Sequence, residues 1–296
     1  MSNPNATTRW RCLFFGMPCA FSSPVLAALV RPDVELVGVV TPQTAPDPEP
    51  YRLIRGLRSR ATIMLSARAG HFEAPRYLVR DIANPRLHAE LAALAPDLII
   101  VACYPRLIPQ PIRDAARIAA LNIHPSLLPR HRGPDPLFWT FHAGDNISGI
   151  TIHHLSGRFD AGDILLQDTT SIHADESLSD LEQRLARLAA NQVGRLISGL
   201  PSLPLPRPQN PALATSEPLP TESDRTIDAT WSITRARRFI AGVAGSHGPL
   251  FWQDDGKSKA VSGLAEPRSG QELALADGVL NVALRSFGGA DRASHF

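Results

Sequence analysis

The chain has 296 residues, of which 44% are hydrophobic and 20% are charged, and this composition is typical of a globular protein. Its formal net charge of +2 gives no strong electrostatic case for nucleic-acid binding, and its three cysteines, without a CxxC motif, argue against a disulfide framework. No apolar run reaches the roughly 20 residues of a membrane span and the N-terminus has no signal-peptide core, so we expect a cytoplasmic protein without a membrane partner.

Apolar runs alternate with helical patterns through the first two-thirds of the chain. We predict strands at residues 12–15, 34–40, 97–102 and 120–123, and helices at residues 22–30 and 86–95. Ser22 is expected to cap the first helix, whose early proline suits a first turn. The run DLIIVA at 97–102 is continuously apolar, as in a strand that is buried on both faces of a parallel sheet. The alternation predicts a Rossmann-like, doubly wound α/β fold.

After this region the sequence pattern changes twice, first to a predicted strand pair with a long helix and then to a proline-rich segment. Two apolar runs, at residues 150–155 and 163–168, predict a pair of strands joined by a turn, and Ser177 then caps a long amphipathic helix with a leucine-rich core face. Seven prolines between Pro201 and Pro220 argue against regular structure and predict a semi-rigid linker. We expect a main domain over residues 1–203, a linker over residues 204–225 and a small, partly β domain over residues 226–296.

The first predicted strand runs into a turn and a helix with the sequence FFGMPCAFSSP. It contains one glycine rather than the GxGxxG of dinucleotide-binding folds, so the close backbone approach to a pyrophosphate is missing. Two interpretations stay open: a plain crossover, or a loop at residues 17–23 that lines a pocket at the carboxyl end of the sheet. We favour the pocket, and with it Met17 as a substrate-binding residue.

The stretch LNIHPSLLPRHRG places Asn122 and His124 two residues apart at a strand end, so that both side chains point to one side. An amide can stabilise a developing oxyanion and an imidazole can move a proton, and this combination suits acyl transfer. Asp160, in the turn GRFDAGD, is the best candidate for a carboxylate that orients the imidazole, because glycines on both sides allow an unusual backbone. On spacing alone, a hydrogen-bonded strand end and an ordinary turn remain the alternative.

LNIHPSLLPRHRG, followed by SGITIHHL and FDAGDILLQ, resembles the signature of the folate-dependent formyltransferases. That family pattern is an Asn-x-His, a Ser-Leu-Leu-Pro stretch and an Asp in an Asp-x-Gly-Asp turn. FFGMPCAFSSPVLAAL resembles the family's opening strand, turn and helix, and PDLIIVACYPRLIP resembles a stretch that forms its folate pocket. The resemblance covers about residues 11–200 and implies a formyltransferase catalytic domain that is followed by a small C-terminal domain.

The resemblance implies an N-formyltransferase that uses 10-formyltetrahydrofolate as co-substrate and needs no metal. It assigns Asn122, His124 and Asp160 as the catalytic group. Asn122, and His124 if protonated, would stabilise the oxyanion, and Asp160 would tune His124 and help to remove the proton of the attacking amine. Because the family holds the pterin ring largely through backbone groups, the expected cofactor-binding residues are Arg106, Leu107, Ile108, Pro109, Phe159 and Asp160.

The acceptor is expected on the far side of the cleft, where the predicted substrate-binding residues are Met17, Ser126, Arg130 and Arg132. Surface hydrogen bonding is the alternative for the two arginines. From residue 205 to residue 296, ten Arg and Lys balance ten Asp and Glu, which argues against tRNA. We therefore favour a small amine, such as an amino-sugar nucleotide or a biosynthetic amine, with methionyl-tRNA as the alternative.

Two further functions stay open at this point. A 10-formyltetrahydrofolate hydrolase would give the formyl group to water, whereas a non-catalytic folate-binding relative is disfavoured by the intact catalytic group. Four histidines match no standard metal-ligand spacing, so we expect no metal site from His131, His142, His153 and His154. A monomer and a homodimer are both compatible with the sequence.

Overall fold

The computed structural model describes residues 9–43, 49, 51–54, 74–254, 257–266 and 269–284. The chain divides into two units. The first unit comprises Met1–Pro134, Gly149–Thr169 and Glu182–Ser216, and the second comprises Asp135–Ser148, Thr170–Leu181 and Glu217–Phe296. The first half of the segment that the sequence predicts to be a linker therefore clusters with the first unit. The predicted boundaries themselves stay predictions.

A mostly parallel sheet forms the centre of the first unit. Its strands are β1 (Trp10–Gly16), β2 (Val34–Pro42), β3 (Tyr51–Ile54), β4 (Arg76–Val79), β5 (Leu98–Ala102), β6 (Ala119–His124), β7 (Ile147–His154) and β8 (Ile164–Ser171). Their order is β3-β4-β2-β1-β5-β6-β7-β8, and the pairs from β4 to β6 are parallel whereas β3–β4 and β6–β7 are antiparallel. The order reverses beside β1, as in doubly wound folds, which bind ligands at such a switch point.

Short helices and one long helix accompany this sheet. They are α1 (Ser22–Ala27), α2 (Pro85–Ala93), α3 (Gln110–Arg113) and most of α5 (Leu178–Ser198), while α4 (Pro136–Ala143) belongs to the second unit. The side chain of Asn84 accepts hydrogen bonds from Arg86 N and Leu87 N and so caps α2. Ser177 caps α5 by accepting from Asp180 N at 3.1 Å, as the sequence predicts.

The core explains why β5 is apolar throughout. All five residues of β5 are buried between β1 and β6, and the side chains of one face join those of β1, β2 and β4 in a single apolar cluster. Because β1, β5 and β6 run parallel as neighbours, the residues that follow Gly16, Ala102 and His124 all emerge at the same edge of the sheet. This carboxyl edge carries the site described below.

The second unit contains a smaller, mixed sheet. Its strands are β9 (Thr226–Ile227), β10 (Leu250–Asp254), β11 (Lys257–Leu264), β12 (Gln271–Leu275) and β13 (Gly278–Leu284), in the order β12-β13-β11-β10-β9. Helix α6 (Ile233–Val243) packs against α4 through the rings of Phe138 and Phe239, whose centroids are 5.7 Å apart. No helix in the described part of the chain is long and apolar enough to cross a membrane.

The predicted α/β fold with a small, partly β second part is confirmed, and the predicted strands and helices are found with shifted ends. One local prediction is wrong. Ser22 does not cap α1, because it is the first helical residue and its hydroxyl bonds to the carbonyl of Met17 instead. Strands β3 and β4 and helices α3 and α4 were not predicted, because they are short and their apolar residues follow no extended periodicity.

Candidate functional site

Four polar side chains share one face of the paired strands β6 and β7. Asn122 lies opposite His153 in the register, and His124 lies opposite Thr151. Residues that alternate by two on one strand, and residues directly opposite on its antiparallel neighbour, point to the same face. The apolar residues that alternate with Asn122 and His124 on β6, Leu121 and Ile123, are buried on the other face. The sheet therefore holds an amide, a hydroxyl and two imidazoles side by side.

Asp160 reaches this face from the loop that joins β7 to β8. Its backbone has a φ of +50°, in the left-handed region that non-glycine residues rarely adopt. Its Oδ1 atom accepts a hydrogen bond from Asn122 Nδ2 at 3.2 Å and lies 3.5 Å from His124 Nδ1. Its Oδ2 atom accepts from the backbone N–H of Gly133 at 3.0 Å. The structure thus brings together the three residues predicted to be catalytic.

The hydrogen bonds of His124 fix its tautomer. Its Nε2 atom lies 2.8 Å from the carbonyl oxygen of His131, and a carbonyl oxygen can only accept, so Nε2 carries a proton. Burial lowers the pKa of His124, and the nearby Asp160 carboxylate opposes this shift without overcoming it. Near neutral pH the imidazole is therefore uncharged, and its Nδ1 lone pair points towards Asp160.

His153 and Asn122 orient each other in the same way. The Nδ1 atom of His153 lies 2.9 Å from the carbonyl oxygen of His154 and therefore donates to it. When His153 is neutral, its Nε2 atom must accept, and Asn122 Nδ2 lies 3.1 Å away as the donor. The two amide protons of Asn122 thus point to His153 Nε2 and to Asp160 Oδ1.

Asp160 is ionised in this environment. Burial acts to raise its pKa, but His124, His153 and the N–H of Gly133 together outweigh burial and hold the pKa well below its usual value. A carboxylate oxygen and the neutral Nδ1 atom of His124, both acceptors, then face each other at 3.5 Å without a proton between them. A substrate N–H or O–H placed between the two atoms would satisfy both, so the arrangement is suited to take up a proton.

The stretch after His124 is held by side chains of β7 and β8. Thr151 Oγ1 donates to the carbonyl of Ser126 at 2.7 Å and accepts from Leu128 N at 3.1 Å. Gln167 Nε2 donates to the carbonyl of Leu128 at 2.7 Å. This bonding, together with two prolines, keeps the chain after His124 on one path.

A second set of bonds comes from the proline-rich segment and holds the Asp160 loop from behind. Gln209 Nε2 donates to the carbonyl oxygens of Asp160 and Gly162, at 2.8 and 2.7 Å. Arg132 in turn donates to Gln209 Oε1 from Nε and Nη2, at 3.1 and 2.7 Å. Thr215 pairs with the backbone of Pro129 and Arg132. These residues stabilise the left-handed backbone of Asp160, which is otherwise unfavourable by about 1–2 kcal/mol.

Glycine is required at two positions of this network. Gly133 has a φ of +125°, which side chains rarely allow, and it supplies the N–H that binds Asp160. At Gly162 a Cβ atom would overlap the carbonyl oxygen of His154. The turn around Asp160 can therefore form only because small residues let the loop and β7 approach closely.

The residues predicted to bind the cofactor lie in two places. Residues 106–109 follow β5 at the carboxyl edge, where Leu107 is exposed, Ile108 is buried and Arg106 donates to the carbonyl of Arg80. Phe159, beside Asp160, is 56% exposed, which is unusual for a phenylalanine and leaves its ring open to a ligand. Their role in binding stays a prediction.

The residues predicted to bind the acceptor have different surroundings. Met17 is partly exposed at the end of β1, and Arg130 is exposed. Ser126 is buried, with its hydroxyl donating to the carbonyl of Arg130 at 2.9 Å, and Arg132 is committed in part to Gln209. Ser126 and Arg132 thus have structural contacts. Binding of the acceptor by any of these four residues stays a prediction.

Four further residues contribute to the site and were not predicted from the sequence: Thr151, His153, Gln167 and Gln209. Thr151 and His153 alternate by two in SGITIHHL, as Asn122 and His124 do in LNIHPS, and that pattern could have indicated them. Gln209 carries no such signal, because it lies in an irregular segment. Within the described ranges no group of three or more His, Cys, Asp or Glu side chains could hold a metal ion.

Comparison with known proteins gives a consistent result. The family described as "Formyl transferase" matches residues 56–196. The methionyl-tRNA formyltransferase of Gluconobacter oxydans is 35% identical over 247 residues, which are 83% of this chain and 77% of the relative.

Two solved structures share the fold. A sugar N-formyltransferase from Shewanella sp FDAARGOS_354 has a TM-score of 0.59 at 14% identity and covers 88% of this chain and 99% of its own. HypX from Aquifex aeolicus in complex with tetrahydrofolic acid has a TM-score of 0.57 at 18% identity and covers 93% of this chain and 44% of its own.

Replacing Gln209 tests the support behind Asp160. We expect Gln209→Ala and Gln209→Glu each to lower the free energy of unfolding by about 1–3 kcal/mol, because both leave the carbonyls of Asp160 and Gly162 without their donor. Denaturation by urea measures this loss. Gln253→Ala, at an exposed position of β10, is the control and should change stability by less than about 0.5 kcal/mol. A fully stable Gln209→Glu protein would contradict the role of the donor.

Proposed function

The chain belongs to the formyltransferase family, and from this premise we propose that it moves a formyl group from 10-formyltetrahydrofolate to the nitrogen of a small amine. The observation that supports this most is the pair of proton-accepting atoms formed by His124 Nδ1 and Asp160 Oδ1. An amine that attacks a formyl carbon must lose a proton, and these two atoms are positioned to receive it. The folate supplies the formyl group; the protein supplies orientation and proton transfer.

The residues at the carboxyl edge of the larger sheet fit such a co-substrate. The solved HypX structure contains tetrahydrofolic acid. In this chain the carboxyl edge of the larger sheet offers exposed apolar groups, Leu107 and Phe159, beside backbone polar groups. We propose that these apolar side chains contact the folate ring system. His124 and Asp160 then lie on the side of the formyl carbon from which the amine approaches.

Asn122 has a second role in this proposal. Its bond to Asp160 Oδ1 is long, at 3.2 Å, so a formyl oxygen that lies beside Asp160 Oδ1 can share this N–H as negative charge develops there. The other N–H remains on His153 Nε2 and keeps the amide plane in place. His153 is then a positioning residue for the oxyanion donor.

A small acceptor is favoured by the contacts of the basic residues in the second unit. Arg235 stacks on Trp231 at 3.9 Å and donates to the carbonyl of His142, and Arg238 donates to the carbonyl of Gly144. Arg237 pairs with Asp175 at 2.9 Å. The cluster that would offer phosphate contacts is thus engaged within its own unit, and the net charge of this region is close to zero.

Methionyl-tRNA is the second candidate acceptor. The observation in its favour is that relatives at 30–35% identity, matched over most of their length, carry the name methionyl-tRNA formyltransferase. Both candidates use the same proton-accepting pair, so they differ only in what occupies the acceptor side.

Substitution of the pair tests the chemistry. We expect His124→Ala and Asp160→Asn to lower kcat by about 10²–10⁴-fold, because each removes half of the proton-accepting pair. His173→Ala, at an exposed histidine, is the matched control and should retain full activity. Circular dichroism checks that all three variants fold. Near-normal formyl transfer by folded His124→Ala and Asp160→Asn would refute the assignment.

The pH dependence tests the charge state of His124. Because burial holds its pKa below 6.5, kcat should stay on a plateau through neutral pH and fall only at a midpoint below 6.5, where Nδ1 becomes protonated. In Asp160→Asn the residual activity should fall at a still lower pH, since the carboxylate raises the pKa of His124. Any part of the pH profile that reflects titration of the substrate amine should be the same in the wild type and in Asp160→Asn. Activity that rises on acidification would contradict a neutral imidazole.

The acceptor is tested by following consumption of 10-formyltetrahydrofolate with water alone, with a panel of primary amines and with charged methionyl-tRNA. We expect turnover with a small amine that is insensitive to salt between about 50 and 200 mM, since few phosphate contacts are made. Salt-sensitive turnover with methionyl-tRNA alone would replace our acceptor with the second candidate. Equal rates with and without amine would identify a hydrolase.

A further inference from the structure

Two of the three cysteines lie together at the carboxyl edge of the larger sheet. Cys19 is in the loop after β1, and Cys103 follows β5 directly. The two strands are paired neighbours, with Gly16 opposite Ala102, and the N–H of Met17 continues the pairing by donating to the carbonyl of Cys103 at 3.2 Å. Both cysteines are partly exposed, and their thiols are hydrogen-bonded to each other.

The two thiols differ in character. The Cys103 thiol donates its hydrogen bond to the sulfur of Cys19, which also accepts from the backbone N–H of Ser22 at 3.3 Å. These bonds lower the pKa of Cys19 to about 5 although burial acts against them, whereas the pKa of Cys103 is raised. At neutral pH the pair is therefore one thiolate and one thiol.

The loop that carries Cys19 is closed on itself. Ser23 Oγ donates to the carbonyl of Cys19 at 2.7 Å, and Ser22 Oγ donates to the carbonyl of Met17. On the other side, Cys103 has a φ of +54° and is fixed by its pairing with Met17. The backbone that carries each of the two thiols is thus fixed by hydrogen bonds.

We propose that Cys19 and Cys103 form an oxidation site, at which a hydroperoxide converts the pair into an intramolecular disulfide. Cys19 is the nucleophile and Cys103 is the resolving thiol. The bond would link the loop after β1 to the loop after β5. It uses neither of the side chains to which we assign proton transfer, so formation of the disulfide can be tested without any assay of formyl transfer.

The reaction balances in two steps. The Cys19 thiolate attacks one peroxide oxygen, an S–O bond forms, the O–O bond breaks, and the leaving hydroxide takes a proton to become water. The Cys103 sulfur then attacks the Cys19 sulfenic acid, an S–S bond forms, the S–O bond breaks, and hydroxide leaves with the Cys103 proton as a second water. Two thiols lose two electrons, and hydrogen peroxide is reduced to two waters.

The third cysteine provides an internal reference. Cys12 is fully buried in β1, and burial raises its pKa to about 12, so it should not react while the protein is folded. Cys12→Ser should leave the reaction of the other pair unchanged.

The test treats the full-length, reduced protein with a few equivalents of hydrogen peroxide, blocks remaining thiols after unfolding, and maps the peptides by mass spectrometry. We expect a linked pair of peptides that contains Cys19 and Cys103, lacks two hydrogen atoms and separates on addition of dithiothreitol. In Cys103→Ser, dimedone should trap a sulfenic acid on Cys19. Cys19→Ser should be oxidised at Cys103 on the order of tenfold more slowly.

The wild-type peptide map is decisive even if a variant does not fold. Sulfinic acid on Cys19 without a linked peptide, or a disulfide only between separate molecules, would overturn the proposal. A pH series of iodoacetamide labelling adds a second readout: Cys19 should remain reactive well below pH 7 in Cys103→Ser, which keeps a hydroxyl donor, and lose reactivity there in Cys103→Ala. Equal labelling of these two variants at every pH would also overturn it.

Discussion

The buried carboxylate of Asp160 is the group on which the rest of the site depends. A buried negative charge is tolerable in this place because Asn122 and the N–H of Gly133 donate hydrogen bonds to it, and these groups owe their positions to β6 and to the turn after it. The bond from His124 Nε2 to the carbonyl of His131 keeps the Nδ1 side of the ring facing Asp160. Removing any one partner leaves the others with a buried charge or an unsatisfied polar group.

Two separate parts of the first unit support that carboxylate. The strand register of β6 and β7 sets the amide and imidazoles, whereas the segment with Gln209 holds the Asp160 backbone in a conformation it would not keep alone. A stretch rich in proline is suited to this second task, because it has little conformational freedom to lose when it binds across the loop.

The sequence could predict what depends on local pattern. The apolar alternation indicated the sheet, and the spacing of Asn122 and His124 placed both on one face. It could not predict His153 as a partner of Asn122, because that depends on the register between two strands. Gln209 lies 49 residues from Asp160, and nothing in its neighbourhood indicates a contact. The failed Ser22 cap has the same cause: a nearby carbonyl of Met17 competes for the hydroxyl.

The central claim is that His124 is a neutral base with its proton on Nε2. Nitrogen-15 NMR of histidine-labelled protein, assigned by comparison with His124→Ala, reads the protonation of both ring nitrogens directly. At pH 7 we expect a protonated Nε2 and a bare Nδ1 that titrates below 6.5. An imidazolium at pH 7, or a proton on Nδ1 of the neutral ring, would contradict it.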